Sequence, residues 1–146
     1  MFRNTADAKA DVERFIKRIV ATDTVWYLTS ADGTASCPSD TEIDEDVEPP
    51  TVLLFFSDAA YARRTQSQSF SGHSPASMSL FDFMYRWLPG MSRDGVLAGP
   101  NWTGDLVGLE LDPFELREAI EAGMSQEHMQ RHDQLYKTLA GSERKA

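Results

Sequence analysis

The spacing of apolar residues predicts the elements of the first half of the chain. Residues 5–22 carry an apolar stripe at spacings of three and four, typical of an amphipathic helix: Val12, Phe15, Ile16, Ile19 and Val20. Residues 24–30 alternate and are rich in β-branched and aromatic side chains, which indicates a strand. A turn at Gly33 predicts that residues 34–37 return antiparallel. The continuous apolar run 51–56 is typical of a strand buried on both faces.

The second half combines helix-start signals with short apolar runs. We predict a short helix capped by Ser57, a loop over residues 65–78, a helix from Ser79 to Pro89-Gly90, and strands at 96–98 and 106–111. Two further helices are predicted, from Asp112 to Gly123 and from Ser125 to about Leu139.

This order of elements favours an α+β fold in a single compact domain. A mixed or antiparallel sheet of four to five strands, covered by helices, satisfies it. The 146 residues, 41% of them hydrophobic, suffice for a core without disulfides or a structural metal. We expect residues 1–146 to form one domain, with a core over about 5–139 and a polar tail over 141–146.

The chain is acidic, with a net charge of −9. Part of this charge lies in a segment that ends at a double proline and is predicted to be an exposed loop: Asp40, Glu42, Asp44, Glu45, Asp46 and Glu48. Such a charge argues against nucleic acids and anionic membranes as ligands and favours a basic protein partner through long-range steering. The alternative is that the charge serves solubility alone.

Cysteine content and hydropathy predict a cytoplasmic protein. Cys37 is the single cysteine, so no intrachain disulfide is expected. Residues 1–13 lack the apolar stretch of a signal peptide, and no apolar run approaches the ~20 residues needed to span a bilayer. Monomer and homodimer both remain open.

The sequence contains no motif of established catalytic chemistry. It has no Gly-x-Ser-x-Gly elbow and no glycine-rich phosphate loop, and nothing near Cys37 would activate its thiol. We therefore predict no catalytic residue and no cofactor. The absence of these motifs favours a protein that is not an enzyme, and a catalytic pair of carboxylates among its 23 acidic residues stays open as the alternative.

Two histidines stand four residues apart on the last predicted helix. His128 and His132 therefore face the same side, where both could contact one metal ion. The sequence identifies no third ligand, and His132 also follows the apolar line of Met129, Tyr136 and Leu139. We predict histidines at the flank of a helix and no metal site.

A tryptophan in a turn-rich segment is the most unusual local feature of the sequence. Trp102 stands among glycine, proline and asparagine, where it either projects as a recognition residue or folds back to close the core. The candidate binding residues on the first alternative are Trp26, Arg64, Asn101, Trp102 and Asp105, with Arg64 as an anion clamp.

Several short motifs together resemble the bacterial family known as domain of unknown function 2750. They are Trp26-x-Leu28, Asp32-Gly33, Phe56-Ser57-Asp58, Tyr61-Ala62-x-Arg64, Trp87-Leu88-Pro89-Gly90, Asp94-Gly95-Val96-Leu97-x-Gly99-Pro100-Asn101-Trp102 and Gly108-Leu109-Glu110. The resemblance covers roughly Asp11 to Ile120, and Gly99 to Trp102 is its most specific part. It implies a compact α+β domain of a bacterial cytoplasmic protein and no particular activity. The serine-rich segment 65–78 and the C-terminal helix depart from the pattern.

Two hypotheses of function follow. The first is a non-enzymatic protein-binding domain of the immunity, inhibitor or regulator kind, which meets a basic partner through residues 40–48. The alternative is a small-molecule or enzymatic site near Trp26, Asn101, Trp102 and Asp105.

Overall fold

A computed structural model describes residues 5–39, 48–102, 106 and 108–144. The strands are β1 (Thr24–Ser30), β2 (Gly33–Thr34), β3 (Ser36–Pro38), β4 (Thr51–Phe56), β5 (Ser74–Ser79) and β6 (Leu97–Pro100). The helices are α1 (Thr5–Thr22), α2 (Ala59–Ser69), α3 (Leu80–Asp82), a π-helical turn (Phe83–Trp87), α4 (Leu88–Arg93), α5 (Pro113–Gly123) and α6 (Gln126–Arg144). The α+β class is confirmed, with six strands where four to five were expected.

Strands β1 and β4 form the centre of the sheet. They pair antiparallel at Trp26–Phe56 and Tyr27–Phe55, and β1 also pairs with β5 along its other edge. The predicted return after Gly33 is confirmed, because β2 pairs antiparallel with β1 and β3 with β4. Strand β6 lies parallel to β4 and occupies the outer edge of the sheet.

Alternate side chains of the central strands pack into two hydrophobic clusters, one on each face of the sheet. Phe55 belongs to a cluster that α1, α5 and the π-helical turn cover. Leu54 and Phe56 belong to the other cluster, together with Ala62 of α2 and Trp102. Strand β4 is therefore buried on both faces, as its continuous apolar run predicted.

The predicted loop over residues 65–78 is wrong. Helix α2 continues to Ser69, and β5 pairs with β1 from Ser74 to Ser79. Strand β5 lies at an edge of the sheet, where proline is accommodated, and most of its side chains are small. The apolar alternation that reveals a strand in a sequence is therefore weak here.

The helix that begins at Ser79 does not end at Pro89-Gly90. The Ser79 hydroxyl accepts a bond from the Asp82 N–H, as expected of a cap. The chain then widens into the π-helical turn and continues through both residues to Arg93. Pro89 stands directly after the π-helical turn, in the first turn of α4, where proline is tolerated.

Residues 106–111 do not form the predicted strand in their described part. Leu106 has a φ of 61°, and Leu111 makes only an isolated bridge with Ala98 of β6. Gly108 lies against the indole of Trp102, so the chain wraps around this side chain instead of extending.

Across the described residues, no helix has the length and hydrophobicity that a bilayer crossing requires.

Candidate functional site

Trp102 closes the core. Its side chain is 4% exposed, and its indole N–H donates a 2.8 Å bond to the Leu109 carbonyl. A Cβ at Gly99 would lie 2.7 Å from the indole, so this position needs glycine for close approach. The environment of Trp102 matches the core-closing alternative of the sequence analysis.

Asn101 joins the end of β6 to the start of α2. Its amide oxygen accepts from the Ser57 N–H at 2.8 Å, and its amide nitrogen donates to the Ser57 hydroxyl at 3.0 Å. Ser57 is thereby engaged, and the predicted cap is corrected: Asp58 caps α2 by accepting from the Tyr61 N–H. A φ of 49° at Asn101 is tolerated because asparagine enters the left-handed region more readily than most residues.

The remaining candidate binding residues are Trp26, Arg64 and Asp105. Trp26 is partly buried against the cluster that contains Trp102. Arg64 is exposed and lies over the Tyr61 ring, 5.0 Å from its centroid. Asp105 lies outside the described residues.

Most of the predicted acidic patch lies outside the described residues as well. This applies to Asp40, Glu42, Asp44, Glu45 and Asp46. Glu48 is described and is exposed.

A groove of about 750 Å³ separates α5 from α6. Its lining residues are Tyr85 and Pro89, Arg117 and Glu121 of α5, and Gln126, Met129, Gln130, Asp133 and Tyr136 of α6. Its volume is within the range of ligand-binding pockets. Tyr136 is 55% exposed, and its ring lies 6.0 Å from that of Tyr85.

Arg117 contacts two other residues that line the groove, Tyr85 and Glu121. Its guanidinium lies over the Tyr85 ring, 4.6 Å from the centroid, and it also pairs with Glu121 at 3.2 Å. Burial raises the pKa of the Tyr85 phenol, while the nearby Arg117 charge acts in the opposite direction. Tyr85 is therefore a neutral hydrogen-bonding group at physiological pH.

A second face of α6 carries a cluster of titratable groups. His128 and His132 are 5% and 4% exposed, and they are the two buried side chains among the described ones of this helix. Nε2 of His128 lies 2.5 Å from Oδ1 of Asp23, and Nε2 of His132 lies 3.7 Å from the same atom. Burial lowers the pKa of His132, and the proximity of His128 lowers it further.

One comparison with known proteins matches about three-quarters of the chain. A family described as "Protein of unknown function (DUF2750)" matches residues 12–120. The chain belongs to the DUF2750 family. No curated protein and no solved structure matches it.

The DUF2750 match covers one side of both the groove and the histidine cluster, but not α6. It includes Asp23, Tyr85, Asn101, Trp102 and Arg117, but it ends before α6. The groove and the histidine cluster therefore both form where α6 packs against the DUF2750 region.

Sequence analysis missed Asp23 as a neighbour of the histidines. The residue precedes them by 105 positions or more and stands in the turn between α1 and β1. Asp23 adopts a φ of 54°, and the one sequence signal for this turn is an aspartate between a helix pattern and a strand pattern. The groove was also missed, because its walls come from elements whose packing the sequence does not specify.

Proposed function

We propose that this protein is a non-enzymatic protein-binding domain that presents the groove between α5 and α6 to its partner. The observation that carries the proposal is the combination of exposed Tyr136 with the Arg117–Tyr85 stack in one groove. Tyrosine and arginine are enriched among the residues that dominate binding at protein interfaces.

A basic protein is the expected partner. The net charge of −9 would steer such a protein toward this domain, and the segment of residues 40–48 would contribute to the attraction. Two carboxylates line the groove, Glu121 paired with Arg117 and Asp133 paired with Lys137 at 3.1 Å. Surface pairs of this kind contribute about 1 kcal/mol or less, so a basic side chain of the partner can replace them. An inhibitor- or regulator-like role is the concrete form of this proposal.

The small-molecule alternative has less support. The polar groups of Asn101 and the indole N–H of Trp102 are engaged within the protein itself, where they join β6 to α2 and hold the chain around residue 109. Because these groups already have partners within the fold, they offer less to a small-molecule ligand.

Affinity capture from cells that naturally contain the protein tests the proposal. The bait is compared at low salt with Tyr136→Ala and Arg117→Ala, and with Phe114→Ala as a control. Phe114 is 53% exposed and does not line the groove, which makes it a matched aromatic surface residue. We expect one basic protein to be captured stoichiometrically by the wild type and the control and to be lost from both groove variants.

A bait with reversed charges distinguishes long-range attraction by the acidic segment from direct contact at the groove. Conversion of Glu42, Asp44 and Asp46 to Lys should weaken capture and reduce its salt dependence without abolishing the role of Tyr136. Equal capture by all baits would contradict the proposed groove.

A further inference from the structure

Helix α6 is attached to the domain in an unusual way. Its buried side chains among those described are two imidazoles, His128 and His132, whereas the apolar Met129 is only partly buried against the core. The two rings lie 4.8 Å apart, and His132 also contacts the Phe81 ring edge-on. Apolar contact alone does not require nitrogen atoms at these positions.

One of these nitrogens has no hydrogen-bond partner in the described structure. Nδ1 of His132 is buried and unpaired. Nε2 of the same ring lies 3.7 Å from Oδ1 of Asp23, beyond ordinary hydrogen-bonding distance. Buried polar atoms are nearly always satisfied, so packing alone does not account for an imidazole with an unpaired Nδ1. Nε2, on the side of Asp23, is the atom of this ring that would bind a ligand.

We propose that Asp23, His128 and His132 form a binding site for a divalent transition-metal ion, with Zn²⁺ as the best match. Each residue offers one ligand atom, and these atoms all lie within 4.8 Å of one another. Imidazole and carboxylate ligands suit Zn²⁺ and its neighbours in the first transition row. Ca²⁺ and Mg²⁺ prefer oxygen ligands throughout, so a site with two imidazoles disfavours them.

To hold the ion, the ligand atoms must move, and the hydrogen bond between Asp23 and His128 must give way to metal bonds. Bonds of about 2.0–2.1 Å in a tetrahedral site place ligand atoms about 3.3 Å apart. Asp23 and His128 must therefore separate from 2.5 Å, while His132 must approach from 3.7 Å. The Asp23 side chain is 47% exposed, which leaves its carboxylate room to rotate.

The surroundings leave one side of the ion open. The imidazoles are buried and the carboxylate faces solvent, so water would complete the coordination shell. Arg131 lines the cavity of about 440 Å³ that Asp23, His128 and His132 also border, and its positive charge opposes a cation. The anionic Asp23 is therefore expected to be essential for affinity.

The ion would connect α6 to the turn between α1 and β1. Because α6 lies beyond the residues that match DUF2750, the metal would fasten an appended helix onto the family's domain. The metal site is independent of the proposed partner groove, because its three ligands do not line that groove.

Titration of the metal-free protein with Zn²⁺, followed by calorimetry, tests the inference. The variants are Asp23→Asn, His128→Gln and His132→Gln, and the control is His73→Gln. His73 is the third histidine of the chain and packs against Phe70, away from the cluster. We expect one equivalent to bind the wild type and the control with micromolar affinity or tighter. Each ligand variant should lose about 100-fold or more, since even residues that only orient ligands are worth 10–100-fold.

A second measurement needs no variant and covers the case in which a substitution prevents folding. In histidine-selective NMR spectra of the wild type, Zn²⁺ should shift the ring signals of His128 and His132 and leave those of His73 unchanged. Undiminished binding by the three ligand variants, no binding by the wild type, or ring signals of His128 and His132 that do not respond would each overturn the inference.

Discussion

At the scale of single residues, the Gly99–Trp102 segment explains why the most recognisable motif of the chain is structural. Gly99 and Gly108 leave the space that the Trp102 indole fills, and Asn101 bonds both the N–H and the hydroxyl of Ser57. The motif thus combines close packing with a polar bridge across the sheet edge. The sequence could isolate this segment as unusual, but it could not decide whether its tryptophan points outward or inward.

Alanine at Gly99 should destabilise the protein. The added Cβ would meet two indole atoms at 2.7 Å, and overpacking of a buried site typically costs about 1–3 kcal/mol. Gly72→Ala is the control, because a Cβ there meets nothing within 4 Å, and a change within about 0.5 kcal/mol is expected. Urea denaturation measures both values. Equal stability of the two variants would show that the indole does not occupy this space.

The phenol of Tyr85 should ionise above pH 10. Burial raises its pKa in the folded protein above the ordinary value, so over the interval between these two values the unfolded chain loses its proton first. The unfolding free energy therefore falls as the pH rises through this interval and is unaffected below it. The absorbance of phenolate in the wild type minus that in Tyr85→Phe reports the titration. Arg117→Gln should move it to higher pH, and a midpoint below pH 10 in the wild type would contradict the described packing.

At the scale of elements, apolar periodicity predicted the strongly patterned parts of the fold. Helix α1, the hairpin at Gly33 and the central strand β4 follow from spacing and turn chemistry. The same approach failed where pairing, rather than side-chain pattern, determines the element. Strand β5 is formed largely of small residues, and its assignment depends on its partner β1. The π-helical turn likewise lets the chain pass Pro89, which a local rule treats as a stop.

Amides of α6 should exchange with solvent faster than those of α5. Helix α5 buries Pro113, Leu116 and Ile120, whereas α6 buries two imidazoles among its described side chains. Segments with little buried apolar surface open at lower free energy. Hydrogen exchange followed by mass spectrometry compares the two helices in metal-free protein. Protection of α6 equal to that of α5 would show that the histidines anchor it as firmly as an aliphatic face.

At the scale of the whole molecule, the described surfaces of interest are concentrated where α6 packs against the DUF2750 region. One face of α6 borders the groove, and another carries the histidines opposite Asp23. The His132 ring also contacts that of Tyr85, which lines the groove, with centroids 5.9 Å apart. Sequence analysis identified the histidine pair and the acidity of the chain. It could not place Asp23 or Tyr85 beside α6, because those contacts depend on how distant segments pack.

Site-specific photocrosslinking tests the central claim, that the groove between α5 and α6 receives a protein partner. A photoreactive phenylalanine analogue replaces Tyr136 at the groove or Phe114 outside it, and both proteins are irradiated in cells that naturally contain this chain. The account predicts one discrete crosslinked protein of basic character from position 136 and none from position 114. The same products from both positions, or no product from position 136, would contradict it.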